Sequence, residues 1–329
     1  MRPRVFITQP VAAAAVERLR AAAEVRLNPD PLHIMAKDEL IGAVRASDIL
    51  FCLLHDRIDA DVIRANPRLR AVASMTITPA GIDVAEATAR RIPVTVTPRA
   101  LLDDSTADIA FALLLAVGRR LVEGDRLVRA GTVPGSQSSH LEARGVSGRT
   151  LGILGMGGVG RAMARRARGF GMKILYHDPR RLAANEELAL ALEWTPFERL
   201  LSDSDYVSIH AALTPQTHHL IGARELALMK PEACLINTAR GPIVDERALI
   251  PALGERRIAG AGLDVYENEP HINPAFAAMP NVVLSPHMGS AVVQVREATA
   301  NAVVDNILAI LEGRRPPNCY NEEIYAARV

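Results

Sequence analysis

A glycine-rich turn with a carboxylate downstream is the strongest chemical signal in the sequence. The strand-like run Thr150–Leu154 leads into a loop of six residues, Gly155-Met156-Gly157-Gly158-Val159-Gly160. In such a turn the first glycine permits a tight reversal, the second lets the backbone approach a pyrophosphate, and the third lets the following helix pack closely on the strand. Asp178 ends a second strand-like run about 20 residues later, where a carboxylate binds the adenosine ribose hydroxyls. The pattern predicts a dinucleotide site that favours NAD.

Two alternatives to an NAD site remain at this point. A glycine-rich turn can serve only to pack a helix on a strand, although the downstream acid argues against that interpretation. Arg180 and Arg181 follow Asp178, and a guanidinium there could meet the 2′-phosphate of NADP. NADP therefore stays open as a second cofactor.

Three further segments each follow a strand-like run, on the edge where open α/β sheets place their ligands. They are Asn237–Gly241, Asp264–Pro270 and Ser285–Ser290. With the glycine loop, they closely resemble the D-2-hydroxyacid dehydrogenase family, in particular its glyoxylate and hydroxypyruvate reductases, over nearly the whole chain. The resemblance implies an NAD-dependent oxidoreductase that interconverts a 2-oxo acid and a D-2-hydroxy acid by hydride transfer.

In that family a histidine, an acid and an arginine do the chemistry, and the matching positions are His287, Glu269 and Arg240. A histidine titrates in the range where it can donate a proton to the developing alkoxide and remove it in reverse. The resemblance gives Glu269 the part of favouring and orienting the imidazolium, and the planar fork of Arg240 suits a substrate carboxylate. Each residue alone has an ordinary interpretation as a turn or loop residue, and only the joint pattern outweighs it.

The resemblance also assigns contacts to the nicotinamide half of the cofactor. Asp264 should hold the carboxamide, and Thr106 should lie near the nicotinamide ring. The other implied cofactor contacts are the Gly158-Val159 backbone at the pyrophosphate, Thr238, Ala239, Arg240, His287 and Gly289. No spacing typical of metal ligands appears, so no metal is expected.

The substrate loop departs from the family pattern. Thr76, Ile77 and Thr78 are the expected substrate contacts, and Thr78 stands where many members carry a glycine. Because Pro79 also removes a donor, the threonine hydroxyls are expected to supplement the backbone amides. The irregular loop 131–148 lacks the tryptophan found there in many relatives, which predicts a bulkier, more polar 2-oxo acid than glyoxylate; the alternative is that this loop lies elsewhere.

Short β-branched runs alternate with alanine-rich helical segments, which predicts an α/β protein with two doubly wound domains. A flavodoxin-like substrate domain is expected from residues 1–100 and 288–329, and a Rossmann NAD-binding domain with a six-stranded sheet from 101–287. A long helix is expected over Ser105–Arg120, and a terminal helix over Val292–Leu311 should pack back on the first domain. Hinges near 98–104 and 285–291 would let the cleft between the domains close.

Composition excludes several classes of protein. The formal net charge of +1 and the 4% aromatic content argue against binding to nucleic acid or a membrane surface. The three cysteines form no CxxC pair and no signal peptide is apparent, so a cytoplasmic location is expected. The longest apolar stretch, Ile109–Val117, is too short to span a bilayer. The family resemblance further implies a homodimer.

Two other functions remain as alternatives. The co-repressors called C-terminal-binding proteins share the fold and keep the histidine, acid and arginine, so an NAD-sensing role is one. Phosphite dehydrogenase is the other, although a lysine common in its substrate loop is missing from residues 71–83.

Overall fold

A computed structural model describes residues 2–326 of the chain. The chain divides into two compact units, one formed by Met1–Leu101 with Ala291–Val329 and the other by Leu102–Ser290. Within residues 2–326, no helix is both long and apolar enough to cross a bilayer.

The first unit contains a five-stranded parallel sheet. Its strands are β1 (Arg4–Ile7), β2 (Glu24–Leu27), β3 (Ile49–Cys52), β4 (Ala71–Ser74) and β5 (Val94–Thr95). The helices between them are α1 (Ala13–Ala22), α2 (Lys37–Arg45), α3 (Ala60–Arg64) and α4 (Val84–Ala89). The strand order β2-β1-β3-β4-β5 is the flavodoxin-like order that the sequence predicted. Every residue of β3 and β4 is buried, because helices cover both faces of the sheet.

The second unit contains a seven-stranded parallel sheet. Its strands are β6 (Thr150–Leu154), β7 (Lys173–His177), β8 (Leu192–Trp194), β9 (Tyr206–Ile209), β10 (Cys234–Asn237), β11 (Gly260–Leu263) and β12 (Val282–Leu284). The order β12-β11-β10-β9-β6-β7-β8 is that of a Rossmann domain with one strand added at the β12 edge. The sheet has seven strands, so the predicted count of six was wrong by one strand, which is β8 and not the added β12. The missed strand, β8, has three residues, none of them fully buried, and so leaves no apolar run in the sequence.

Seven helices lie in the second unit within residues 2–326. They are α5 (Asp103–Gly118), α6 (Leu121–Arg129), α7 (Gly158–Gly169), α8 (Ala184–Leu190), α9 (Phe197–Asp203), α10 (Ala223–Leu228) and α11 (Glu246–Gly254). The predicted helix over Ser105–Arg120 is α5, shifted by two residues. Helix α6 was not predicted, although its sequence is amphipathic; none of its residues is buried. Residues 131–148 form no helix or strand, as expected.

The last helix, α12 (Val293–Leu311), belongs to the first unit. Its buried side chains, among them Val303, Val304 and Ile307, pack in one core with residues of α1 and of the strands β1, β3 and β4. The prediction that the terminal helix packs back on the first domain is thus confirmed.

Candidate active site

The predicted site residues of the second unit lie along one edge of its sheet. All seven strands are parallel, so their carboxyl ends meet at the same edge. His287 follows β12, Glu269 follows β11 and Arg240 follows β10, and these three strands are neighbours. The glycine loop follows β6 and Asp178 follows β7, farther along the same edge. The topology therefore orders the five sites in one row, with the proton-transfer candidates at one end and the adenosine-binding candidate at the other.

His287 and Glu269 form a close pair. The Nδ1 atom of His287 lies 2.7 Å from Oε2 of Glu269, and the two side chains are 23% and 18% exposed. An ionised carboxylate can only accept a hydrogen bond, so Nδ1 carries the hydrogen and donates it. The other carboxylate oxygen of Glu269 accepts from the backbone N–H of Tyr266 at 2.9 Å. These bonds fix the ring orientation of His287 and leave proton exchange to Nε2.

Asp264 holds the backbone around His287. Its carboxylate accepts hydrogen bonds from the Ser285 hydroxyl at 2.5 Å and from the backbone N–H groups of Met288 at 2.8 Å and Gly289 at 3.1 Å. Its carbonyl oxygen accepts from the N–H of His287 at 2.8 Å. His287 has a φ of +56°, a left-handed conformation that costs a non-glycine residue roughly 1–3 kcal/mol and persists only where the surroundings enforce it. The bonds to Asp264 supply that enforcement.

By the family resemblance, Asp264 was expected to bind the nicotinamide carboxamide. In the structure its carboxylate also has partners within the protein. Both carboxylate oxygens already accept bonds from residues 285–289, and the residue is only 1% exposed. The phenol of Tyr266 reinforces the same loop by donating to the carbonyl of Ser285 at 2.9 Å, and burial raises its pKa to about 12. The phenol therefore remains a donor across the physiological pH range.

Arg240 begins a tight turn that packs against the segment leading to Glu269. Its carbonyl oxygen accepts from the Asn237 amide at 3.0 Å, and its guanidinium donates to the carbonyl of Ala239 at 2.6 Å. At the next residue, Gly241, an added Cβ would lie only 1.9 Å from the carbonyl of Tyr266. Glycine is needed there because the two loops touch, and this contact brings the Arg240 turn beside the Tyr266–Glu269 segment.

The glycine loop has the geometry that its pattern predicts. Gly155 has a φ of +90°, and a Cβ on it would lie 2.6 Å from the backbone nitrogen of Ala211. A Cβ on Gly160 would lie 2.2 Å from the carbonyl oxygen of Gly155. By contrast, no atom lies within 4 Å of a Cβ built on Gly157, directly before the first residue of α7. A Cβ on Gly158, the first residue of α7, would instead lie 1.9 Å from the Asp103 carboxylate. The loop is therefore open at Gly157, where backbone amides attract an anion, but lies against a side chain of α5 at Gly158.

Three buried polar atoms along this edge have no hydrogen-bond partner within residues 2–326. They are Oγ1 of Thr238, after β10, Nδ1 of His210, after β9, and Oγ1 of Thr195, after β8. Buried polar groups are normally satisfied, so unsatisfied ones beside an open glycine loop fit a site built for a polar ligand. A dinucleotide suits these residues, with its pyrophosphate at Gly157–Val159 and its adenosine ribose at Asp178.

His210, directly after β9, is another histidine at this edge, and it remains uncharged. Nε2 of His210 lies 2.9 Å from the Ser208 hydroxyl, and burial lowers the pKa of the imidazole to about 3. His210 therefore offers a hydrogen-bonding ring without a charge, and it is no candidate for the proton donor.

Thr106, Val159 and Ala239 are half-buried in the second unit. The Thr106 hydroxyl lies 3.1 Å from where a Cβ on Gly289 would be, so this side chain of α5 touches the His287 loop. The expected position of Thr106 near the nicotinamide ring stays a prediction.

The expected substrate contacts Thr76, Ile77 and Thr78 follow β4 in the first unit. The Thr76 hydroxyl is bonded within this loop, 2.6 Å from the Ser74 hydroxyl and 2.5 Å from the carbonyl oxygen of Thr78, and the residue is 8% exposed. A hydroxyl with two partners inside its own loop is poorly suited to supplement the amides there. Of the two threonines, Thr78 is the better candidate for that part.

One group in residues 2–326 brings together three side chains of the types that bind metals, and the sequence did not reveal it. His219, Asp245 and Glu267 each offer a ligand atom, and these atoms lie within 4.8 Å of one another. Nε2 of His219 lies 2.6 Å from the Glu267 carboxylate. Sequence spacing could not show this group, because its members lie on three separate loops. A histidine–carboxylate ion pair accounts for the geometry.

Comparison with known proteins identifies the family of this chain. The family model for the NAD binding domain of D-isomer specific 2-hydroxyacid dehydrogenases matches residues 111–289. A glyoxylate reductase from Thermococcus litoralis is 44% identical over 328 residues, covering 98% of this chain and 98% of that protein. Another, from Korarchaeum cryptofilum, is 45% identical over 331 residues, covering 100% of this chain and 98% of that protein.

Solved structures show the same relationship. A glyoxylate reductase from Paecilomyes thermophila matches with a TM-score of 0.83 at 30% identity, covering 98% of this chain and 99% of that one. An NADPH-dependent glyoxylate/hydroxypyruvate reductase from Sinorhizobium meliloti, solved with NADP and malonate, matches with a TM-score of 0.82 at 32% identity over the full length of both chains.

The fold and the site define a nicotinamide-dependent oxidoreductase with a Rossmann NAD-binding domain. The chain belongs to the D-isomer specific 2-hydroxyacid dehydrogenase family. Its reaction class is the interconversion of 2-oxo acids and 2-hydroxy acids.

Proposed function

We propose that this protein is an NAD(H)-dependent D-2-hydroxyacid dehydrogenase in which His287 is the acid/base residue. The observation that carries the proposal is the 2.7 Å contact between His287 and Glu269 at the sheet edge that also holds the glycine loop. A nucleotide site alone would fit many enzymes, but a histidine with a fixed carboxylate partner at the nicotinamide end indicates carbonyl reduction.

Three side chains take part in the proposed reaction. When bound, the reduced nicotinamide supplies a hydride to the keto carbon of the substrate. His287 gives its Nε2 proton to the carbonyl oxygen as negative charge develops there, and Glu269 stabilises the imidazolium before the transfer. Arg240 binds the substrate carboxylate and polarises the carbonyl. In the reverse direction His287 takes up the hydroxyl proton.

The test of this function is NADH oxidation by the purified protein with a panel of 2-oxo acids. The panel runs from glyoxylate and hydroxypyruvate to larger sugar-derived and aromatic acids, and a parallel assay follows NAD reduction with phosphite. Turnover of any 2-oxo acid with formation of the D-2-hydroxy acid supports the proposal. NADH binding without turnover of the whole panel would favour an NAD-sensing role, and turnover of phosphite alone would favour phosphite dehydrogenase chemistry.

The names of the relatives make glyoxylate and hydroxypyruvate the leading substrates. The departures at Thr78 and in loop 131–148 predict instead that a bulkier, more polar acid is preferred, and this stays a prediction. Fastest turnover of glyoxylate, with no gain from added hydroxyl groups, would contradict it.

We propose NAD rather than NADP as the preferred cofactor, because Asp178 stands where the adenosine ribose binds. Its carboxylate accepts from the backbone N–H groups of Met156 and Arg180, both at 2.9 Å, so it is fixed beside the glycine loop. We expect Asp178→Ala to lower the NADH-over-NADPH ratio of kcat/KM by about tenfold or more, since a charge opposing a 2′-phosphate is lost. An unchanged ratio would show that another group selects the cofactor.

A homodimer formed through the second unit is part of the proposal. Helix α6 exposes Leu121 and Val128 at 64% and 65%, which is unusual for apolar side chains on one short helix and suits a covered surface. Light scattering coupled to size-exclusion chromatography should give twice the mass of the chain. A cytoplasmic location also remains a prediction; the three cysteines, all buried and free, agree with it.

A further inference from the structure

Helix α8 places two glutamates beside the adenosine end of the proposed cofactor site. In dinucleotide-binding folds, an arginine near the ribose-binding acid accommodates the 2′-phosphate of NADP. We propose that Glu187 withholds Arg181 from that position and thereby acts with Asp178 to set the preference for NAD. This inference rests on the proposed function, and it names a specificity-determining residue that does not itself touch the cofactor.

The Glu187–Arg181 contact has a bidentate geometry. Nε and a terminal nitrogen of Arg181 lie 2.8 Å and 2.9 Å from the two carboxylate oxygens of Glu187. The Arg181 side chain is 62% exposed, but that of Glu187 is only 11% exposed, so the arginine is held by a fixed anchor. Two parallel charge-assisted bonds fix the guanidinium plane and compete with any phosphate for the same donors.

A buried tyrosine keeps the anchor in place. The hydroxyl of Tyr176, in β7, donates to Glu187 at 2.6 Å and accepts from the backbone N–H of Leu182 at 2.9 Å. The arginine and this hydroxyl together lower the pKa of Glu187 to about 2, so the carboxylate is charged at any pH where the protein works. Burial and the neighbouring carboxylate raise the pKa of Tyr176 to about 12, and its hydroxyl therefore remains a donor.

The restrained arginine lies close to the ribose-binding acid. The guanidinium carbon of Arg181 is 5.8 Å from the centre of the Trp194 ring, and the indole N–H of Trp194 donates to the carbonyl of Asp178 at 3.4 Å. Trp194 thus touches Asp178 on one side and faces Arg181 on the other. Released from Glu187, the flexible side chain would remain near the position of a 2′-phosphate.

The neighbouring glutamate restrains a second cation in the same way. Glu186 pairs with Arg161 of α7, and Arg161 also donates to the carbonyl of Met156 in the glycine loop at 3.3 Å. Arg180 differs, because its side chain makes no hydrogen bond within residues 2–326, although its backbone N–H binds Asp178. Arg180 is therefore the internal control for Arg181.

The experiment measures dissociation constants for NADH and NADPH by nucleotide fluorescence, without substrate. In an Asp178→Ala background, adding Glu187→Gln should tighten NADPH binding by about tenfold, the scale of one freed charge-assisted contact, and change NADH binding less than about twofold. Glutamine keeps an acceptor for Tyr176. A further Arg181→Ala substitution should abolish the gain, whereas Arg180→Ala should leave it.

Equal changes in both dissociation constants, or a gain in NADPH affinity that survives Arg181→Ala, would overturn the inference. Glu187 would then only stabilise the local structure. If Glu187→Gln fails to fold, the Asp178→Ala/Arg181→Ala variant replaces it, because Arg181 is exposed. If Glu187 withholds Arg181 from the 2′-phosphate, that variant should show no loss of NADPH affinity. A loss above about threefold would refute the inference. If the wild-type protein binds neither nucleotide, the proposed function is refuted. If it binds NADH but the substitutions leave its selectivity for NADH over NADPH unaltered, only this inference is refuted.

Discussion

Replacing His287 with glutamine is expected to lower kcat for 2-oxo acid reduction by about a thousandfold, because a positioned proton donor contributes 10²–10⁴ in such reactions. Glutamine is similar in size and can still reach Glu269, but it has no proton to give to an alkoxide. The dissociation constant for NADH should stay within about twofold, since the glycine loop and Asp178 are untouched. Steady-state turnover and nucleotide fluorescence measure the two effects separately.

His219 provides a matched control for that experiment. It also pairs with a glutamate, at 2.6 Å from Glu267, and the two side chains are 27% and 21% exposed, much as in the His287 pair. His219→Gln should therefore disturb an equivalent ion pair while leaving turnover within a few-fold of wild type. A His287→Gln variant that turns over at a near-normal rate would remove His287 from the mechanism.

Replacing Arg240 with alanine should reduce kcat/KM by about a thousandfold or more, because a bidentate charge-assisted contact to the substrate carboxylate and the polarising charge are both lost. KM should rise together with the fall in kcat. Arg240→Lys should recover only part of the loss, since an ammonium group is a point charge without the planar fork. Initial rates over a range of substrate concentrations separate the two parameters.

Arg247 supplies the control, since its side chain is 86% exposed on α11 of the same unit. Arg247→Ala should leave both parameters nearly unchanged. If Arg240→Ala raised KM without lowering kcat, the residue would bind substrate but would not act on the carbonyl.

The sequence predicted both sheets and the places where the site residues follow their strands. Buried parallel strands give continuous apolar runs, and β6 has the predicted bounds Thr150–Leu154. The edge strand β8 was missed because three half-exposed residues give no such run. Helix α6 was also missed, although its sequence is amphipathic; none of its residues is buried.

Side-chain partners were less predictable than the fold. The family resemblance implied a ligand-binding role for Asp264, which stays a prediction; the three bonds that its carboxylate accepts from residues 21 to 25 positions away were not predicted. The Thr76 hydroxyl was expected to face the substrate but bonds inside its own loop. The Asp264 bonds depend on how two loops approach each other in space, which residue type and spacing do not encode. The Thr76 bonds depend on the local backbone conformation of residues 74–78.

The row of strand ends also bears on how the enzyme could be engineered. Asp178 follows β7 and His287 follows β12, and five strand-to-strand steps of about 4.8 Å put their strands roughly 24 Å apart. Substitutions that far apart, with no shared partners, usually add in free energy. Cofactor preference could therefore be rewritten at the β7 end without retuning the proton donor, and the two sets of changes could be optimised in separate libraries and then combined.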